Sequence, residues 1–187
     1  YIDLSHYNVV IMKYLLLLSI LFASSAFADE FEDIFSRAEA GDSSAQIVLG
    51  DKYAKGDGVL EDNNEAVKWY RLAAEQGLAI AQNRLGLMYE LGDGVTGDYK
   101  EAFKWYRLAA EQGYDVAQHN LGYLYGLGNG VLQDYIRAHM WFNIASVSGL
   151  EEARKARKTF ANKMTPSQIE QAQKMAQVCL SSDYVDC

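Results

Sequence analysis

Glycines 41, 77, 113 and 149 stand 36 residues apart, and nearly everything between them recurs at the same interval. Ala45-Gln46 returns as Ala81-Gln82 and Ala117-Gln118, and Leu49-Gly50 as Leu85-Gly86 and Leu121-Gly122. Tyr53, Tyr89 and Tyr125 follow the same period, as do Trp69, Trp105 and Trp141. A period of this length, shared by small, apolar and aromatic positions, specifies a stack of like units, each of which needs its neighbours to bury its apolar face.

Each unit reads as two helices. In the first, Ala45, Leu49 and Tyr53 fall at i, i+4, i+8 and form one stripe. Gly50 lies beside that stripe, where glycine costs about 1 kcal/mol relative to alanine. Its recurrence as Gly86 and Gly122 therefore implies that a partner helix approaches closely. Gly-x-Gly at 56–58, 92–94 and 128–130 ends the first helix and turns the chain. In the second helix, Ala66, Trp69, Tyr70, Ala73 and Ala74 fit the amphipathic template. Asp62 with Glu65 and Asp98 with Glu101 predict capping boxes at its start, and Asp134 with Arg137 an incomplete one.

The ends depart from the period in the way terminal units must. Phe31, Ile34, Phe35 and Ala38 predict a lone helix in the second-helix position, without the tryptophan. Ala153, Ala156, Phe160 and Met164 line a helix after the third unit. Thr165-Pro166-Ser167-Gln168 then starts another, with Thr as N-cap and Pro in the first turn, lined by Ile169, Ala172, Ala176 and Cys179. The expected organisation is an N-terminal cap over 29–41, three repeats over 42–149, and C-terminal capping helices and tail over 150–187. The fold class is all-α, an α-solenoid of stacked helix–turn–helix units.

Residues 12–28 read as a secretory signal. Lys13 is the positive start, Tyr14 to Phe22 the apolar run, and Ala26-Phe27-Ala28 the cleavage site. Processing would leave a chain starting at Asp29, with 1–11 as upstream read-through, delivered to the periplasm or secreted. Lys13 interrupts the apolar stretch, and neither part is long enough to cross about 30 Å of hydrocarbon. With a net charge of −8 the chain repels phosphate backbones, so nucleic acid is not an expected partner. In an oxidising compartment the two cysteines, Cys179 and Cys187, are expected to pair and pin the tail to the last helix.

Reactive constellations are missing. The sequence has no Ser-x-x-Lys, Gly-x-Ser-x-Gly or His-Glu-x-x-His, and no phosphate-binding glycine loop. Gly-Asp-Gly resembles part of a calcium loop without its terminal Glu, and a helix-ending turn explains it better. His119 and His139 lie on different helix types with no further ligands at metal spacing. No metal and no cofactor are expected.

Two surfaces remain as candidates. Positions that do not recur on the first helices are Ile47, Asp51 and Ala54, then Asn83, Leu87 and Glu90, then His119, Tyr123 and Gly126. Each trio is spaced i, i+4, i+7, and stacking sets the three faces side by side. Leu87 and Tyr123 would be its apolar anchors. Arg154, Lys155, Arg157, Lys158 and Lys163 form a basic cluster on the capping helix. It is either the polar outer face that a terminal unit needs or a contact for an anionic partner.

The pattern Ala-Gln-x-x-Leu-Gly-x-x-Tyr, then Gly-x-Gly-Val, then Ala-x-x-Trp-Tyr-x-x-Ala-Ala-x-x-Gly resembles the Sel1-like repeat family, relatives of tetratricopeptide repeats. The resemblance covers about 38–149, and its motifs are structural ones. It implies binding of a protein or peptide on the concave face of the solenoid, with Asn83, Leu87, Glu90, His119 and Tyr123 as the contact rows. The expected function is a non-enzymatic interaction module or scaffold in the bacterial cell envelope, a monomer with no transmembrane segment after processing. The alternative is a β-lactamase-like or penicillin-binding hydrolase, by analogy with cysteine-rich exported members. Their repeats carry cysteine pairs that the repeats here lack.

Overall fold

The computed structural model describes residues 29–185 and Cys187. The expected signal peptide and the segment before it lie outside the described residues. The chain enters in helix α1, over 29–39. It continues through α2 (Ser43–Lys55), α3 (Asn63–Glu75), α4 (Ala79–Leu91), α5 (Tyr99–Ala110), α6 (Asp115–Leu127), α7 (Tyr135–Val147), α8 (Glu151–Ala161) and α9 (Pro166–Ser181). Among the described residues there is no strand. First helices α2, α4 and α6 pair with second helices α3, α5 and α7, and each second helix also packs on the first helix that follows. That is an α-solenoid.

Local chemistry sets where the helices begin and end. Asp62 caps α3 by accepting from the amides of Asn64 and Glu65, and Asp98 does the same for Lys100 and Glu101 at α5. The reciprocal half of the expected capping boxes does not form, because the amides of Asp62 and Asp98 donate instead to the Tyr53 and Tyr89 carbonyls at 2.9 Å, while Glu65 and Glu101 pair with Lys68 and Lys104 one turn later. In the third unit Asp134 caps the Arg137 amide and also holds its guanidinium at 3.0 Å. The complete box is at α9, between Thr165 and Gln168.

The repeated glycines have two distinct jobs. A Cβ on Gly50, Gly86 or Gly122 would lie 2.6, 2.7 or 2.8 Å from the ring of Tyr70, Tyr106 or Phe142. The second helix therefore sets an aromatic ring close against the first at each level. In the turns, Gly94 and Gly130 adopt positive φ and pack on the preceding unit. A Cβ there would sit 2.1 Å from the Asn63 carbonyl oxygen and 2.2 Å from that of Tyr99. Repeat-to-repeat register is thus set partly by backbone against backbone.

A buried polar ladder ties the units together. Gln46, Gln82 and Gln118 donate to the carbonyls of Ala38, Ala74 and Ala110 at 3.1–3.2 Å. Gln76 and Gln112 in turn donate to the side-chain oxygens of Gln46 and Gln82. Gln46, Gln82 and Gln118 are 2–4 % exposed, so leaving one of them unpaired would cost about 1–3 kcal/mol.

The C-terminal helix α9 folds back along α7 and does not pair with α8. Its buried residues are Ala172, Ala176 and Cys179. Cys179 and Cys187 form a disulfide, and the ring it closes sets Tyr184 against Gly113, at the α5–α6 turn. Closing so short a loop is worth about 2–3 kcal/mol in the chain-entropy model. Cys187→Ser is therefore expected to lower unfolding stability by about that amount, read from the urea midpoint. Dithiothreitol should reproduce the loss in the native chain and leave the variant unchanged; an unchanged midpoint in both would contradict the clasp.

Candidate functional site

The first helices carry the candidate face, and the structure rotates it from where the non-recurring positions put it. Asn83 is not on an open surface. It is 7 % exposed, and its side-chain oxygen accepts from Asn120 of α6 at 3.1 Å. Glu90 accepts from the Tyr106 hydroxyl at 2.7 Å, and Asp51 from that of Tyr70 at 2.6 Å. Ile47, Ala54 and Leu87 pack against the core, and Gly126 lies under the ring of Phe160. These positions vary because each packs against a particular neighbour, not because they are free.

The open stripe lies one residue further round. On α4 it runs Ile80, Arg84, Leu87 and Leu91, and on α6 Val116, Asn120, Tyr123 and Leu127, both at i, i+4, i+7, i+11. On α2 the counterparts are Ser44, Val48, Asp51 and Lys55. Leu91 is 61 % exposed, Leu127 54 %, Ile80 46 % and Tyr123 36 %. Asp51, Leu87 and Tyr123 belong to both readings. Sequence reasoning missed Ile80, Leu91 and Leu127. Their signal was apolar side chains at positions where α2 carries Ser44 and Lys55.

The face is stiffened from behind. Tyr123 stands edge-on to Phe142 and Phe160, with centroids 5.2 and 5.8 Å away. His119 packs between Tyr123 and Phe142, with Nδ1 3.3 Å from the Asn120 oxygen. Arg84 reaches Asp51 at 3.3 Å, an ion pair from α4 to α2. Burial, then the hydrogen bond to an acidic acceptor, pushes the hydroxyls of Tyr70 and Tyr106 above the usual phenol range, so both remain donors. His139 is pushed below the usual imidazole range, chiefly by burial and then by Arg157, and lies buried in the core.

The basic cluster is also divided by the structure. Arg154, Lys155 and Lys158 are exposed on α8. Arg157 turns inward, donating to Asn143 at 2.5 Å and Ser146 at 3.3 Å. It is a tie between α8 and α7, not part of an open basic patch. A wide-mouthed cleft of about 800 Å³ lies between the ends of α1 and α3, lined by Trp69, Leu72, Glu75 and Gln76 among others.

Among the described residues no three His, Cys, Asp or Glu side chains come together as a metal site. His119 bonds Asn120, and the His139 Nδ1 is buried without a partner. Neither touches a hydroxyl or thiol that it could activate. No described helix is long and apolar enough to cross a membrane.

The model of the Sel1 repeat matches residues 43–78, 79–114 and 115–147, unit by unit with the helix pairs. The chain belongs to the Sel1 repeat family. Among solved structures it is similar to a Sel1 repeat protein from Oxalobacter formigenes, with 42 % identity over 70 % of this chain and 98 % of that one, and a TM-score of 0.63. It is also similar to a protective antigen present in uropathogenic Escherichia coli strains, described as displaying an SLR fold. There the identity is 29 %, the TM-score 0.63, and the match covers 82 % of this chain and 42 % of the antigen. The Sel1 chain thus spans less than half of that relative. No curated protein matches it. Sel1 repeats are in general protein-interaction modules, and neither the family nor these relatives supports the hydrolase reading.

Proposed function

We propose that this Sel1 chain is a non-enzymatic interaction module of the bacterial cell envelope, exported by the segment at 12–28 and processed before Asp29. The observation that carries the reading is the open row of apolar side chains on adjacent first helices, Ile80 and Leu91 on α4 and Tyr123 and Leu127 on α6. Scattered apolar residues are ordinary on a surface. A row repeated at the same positions of neighbouring units is what an extended or helical partner segment with apolar residues at matching spacing would cover. Within the row, Arg84 is held by Asp51 and Asn120 by Asn83. These fixed polar groups between the apolar side chains set a partner's register.

The test is capture of a partner by the tagged, exported chain. Leu91→Glu with Tyr123→Glu places two charges in the row. That change is expected to cut capture at least about tenfold, or 1.4 kcal/mol, with circular dichroism unchanged. Capture at native strength by this folded variant would overturn the assignment.

A further inference from the structure

The two ends of the solenoid complement each other in repeat register. Arg154, Arg157 and Lys158 stand 36 residues after Gln118, Leu121 and Gly122. In α6 those three are buried, with Gly122 beneath the ring of Phe142 on its second helix. α8 has no second helix, because α9 runs along α7. Seven residues of α4 are buried but only three of α8. The side of α8 that a second helix would cover is therefore open, and it presents Lys155, Lys158 and Arg154, the last paired with Glu151 at 3.3 Å.

α1 is the converse. Glu30, Ile34 and Arg37 stand 36 residues before Ala66, Tyr70 and Ala73, the stripe by which α3 meets α2. Among the described residues no first helix precedes α1, and Glu30, Asp33 and Arg37 are exposed. Over 29–39 the helix has five carboxylates against the single Arg37. That guanidinium is already held by Asp42 and, at 3.7 Å, by Asp33. One end thus lacks a second helix and is basic, while the other offers a second helix and is acidic.

We propose that a second copy of this chain docks head to tail, its α1 taking the vacant second-helix place beside α8. Glu30 and Asp33 of one copy then meet Arg154 and Lys158 of the next. The contact is heterologous, and because it continues the repeat register from one copy to the next, copies add end to end. It joins little more than one helix pair and falls in the weak, transient class below about 1,200 Å². The chain is then a monomer when dilute and associates when concentrated. Because Lys158 replaces the glycine of the interior units, the joint is wider than an interior one and rests on charge, so salt weakens it.

The test uses the chain expressed with its leader, purified as the host leaves it and checked by mass. Sedimentation velocity follows its average mass over rising concentration, between about 0.02 and 0.5 M salt, where screening shortens from tens of Å to a few. Mass is expected to rise with concentration at low salt and to fall back at high salt. Arg154→Glu with Lys158→Glu, and separately Glu30→Lys with Asp33→Lys, should each remain monomeric, since every joint then sets like charges together. All four side chains are exposed, so folding should survive, and circular dichroism checks it. Mixing the two variants should restore association, because each now offers the other a complementary end. A native chain that stays monomeric throughout, association that survives either reversal, or a mixture that fails to associate would overturn the joint.

Discussion

Gly130→Ala is expected to destabilise the chain by about 3–5 kcal/mol, the exceptional end of single-residue effects. Two costs combine. Gly130 has φ +71°, a conformation that costs an L-residue about 1–2 kcal/mol. The added Cβ would also sit 2.2 Å from the Tyr99 carbonyl oxygen and 2.5 Å from its carbon. Those are backbone atoms at the start of α5, so they cannot rotate away as a side chain would. Gly149→Ala separates the two costs. Its φ is +96° and nothing lies within 4 Å of its Cβ, so only the conformational cost of about 1–2 kcal/mol remains. Urea unfolding of both variants measures the difference. Equal losses would mean that the turn does not hold the units in register by close backbone contact.

Tyr106→Ala is expected to cost about 3–5 kcal/mol. The ring is fully buried, and its hydroxyl satisfies Glu90 at 2.7 Å. The informative experiment is the cycle with Gly86→Ala. Alone, that change gains about 1 kcal/mol of helix propensity. Against it stands an overpacking cost of about 1–3 kcal/mol, since the new Cβ meets the Tyr106 ring at 2.7 Å. With the ring removed, the alanine has room and only the gain remains. The double variant should therefore be more stable than Tyr106→Ala alone, although Gly86→Ala destabilises the native chain or leaves it level. Additive effects would show that the glycine is not kept for the ring.

Much of this architecture was legible because the repeat prints the same physical requirement three times. Helix order, the close approach over Gly50, Gly86 and Gly122, and the Gly-x-Gly turns all followed from recurring residues. What failed was reading exposure from the lack of recurrence. Asn83 and Asn120 differ from their counterparts because they bond each other across α4 and α6, and Glu90 because it serves the Tyr106 hydroxyl. A first helix of a solenoid touches its own second helix, the preceding second helix and its neighbouring first helices. The free stripe is what remains between those contacts, and only the packing shows its phase. Arg157 was similarly opaque, because a long side chain can bury its stem and reach back to Asn143. The stripe on α9 was readable but its target was not. An apolar face does not say whether it covers α8, its neighbour in sequence, or α7.

We propose that the row on α4 and α6 is the working surface. It is tested most directly by a photoreactive residue placed in turn at Leu91, Leu127 and Leu72 of the exported chain in living cells. Leu72 is comparably open, at 45 % exposure, but lies on the second helix α3. One discrete adduct is expected, the same from 91 and 127, and none from 72. Crosslinking from 72 alone, or no adduct from either face position, would contradict it.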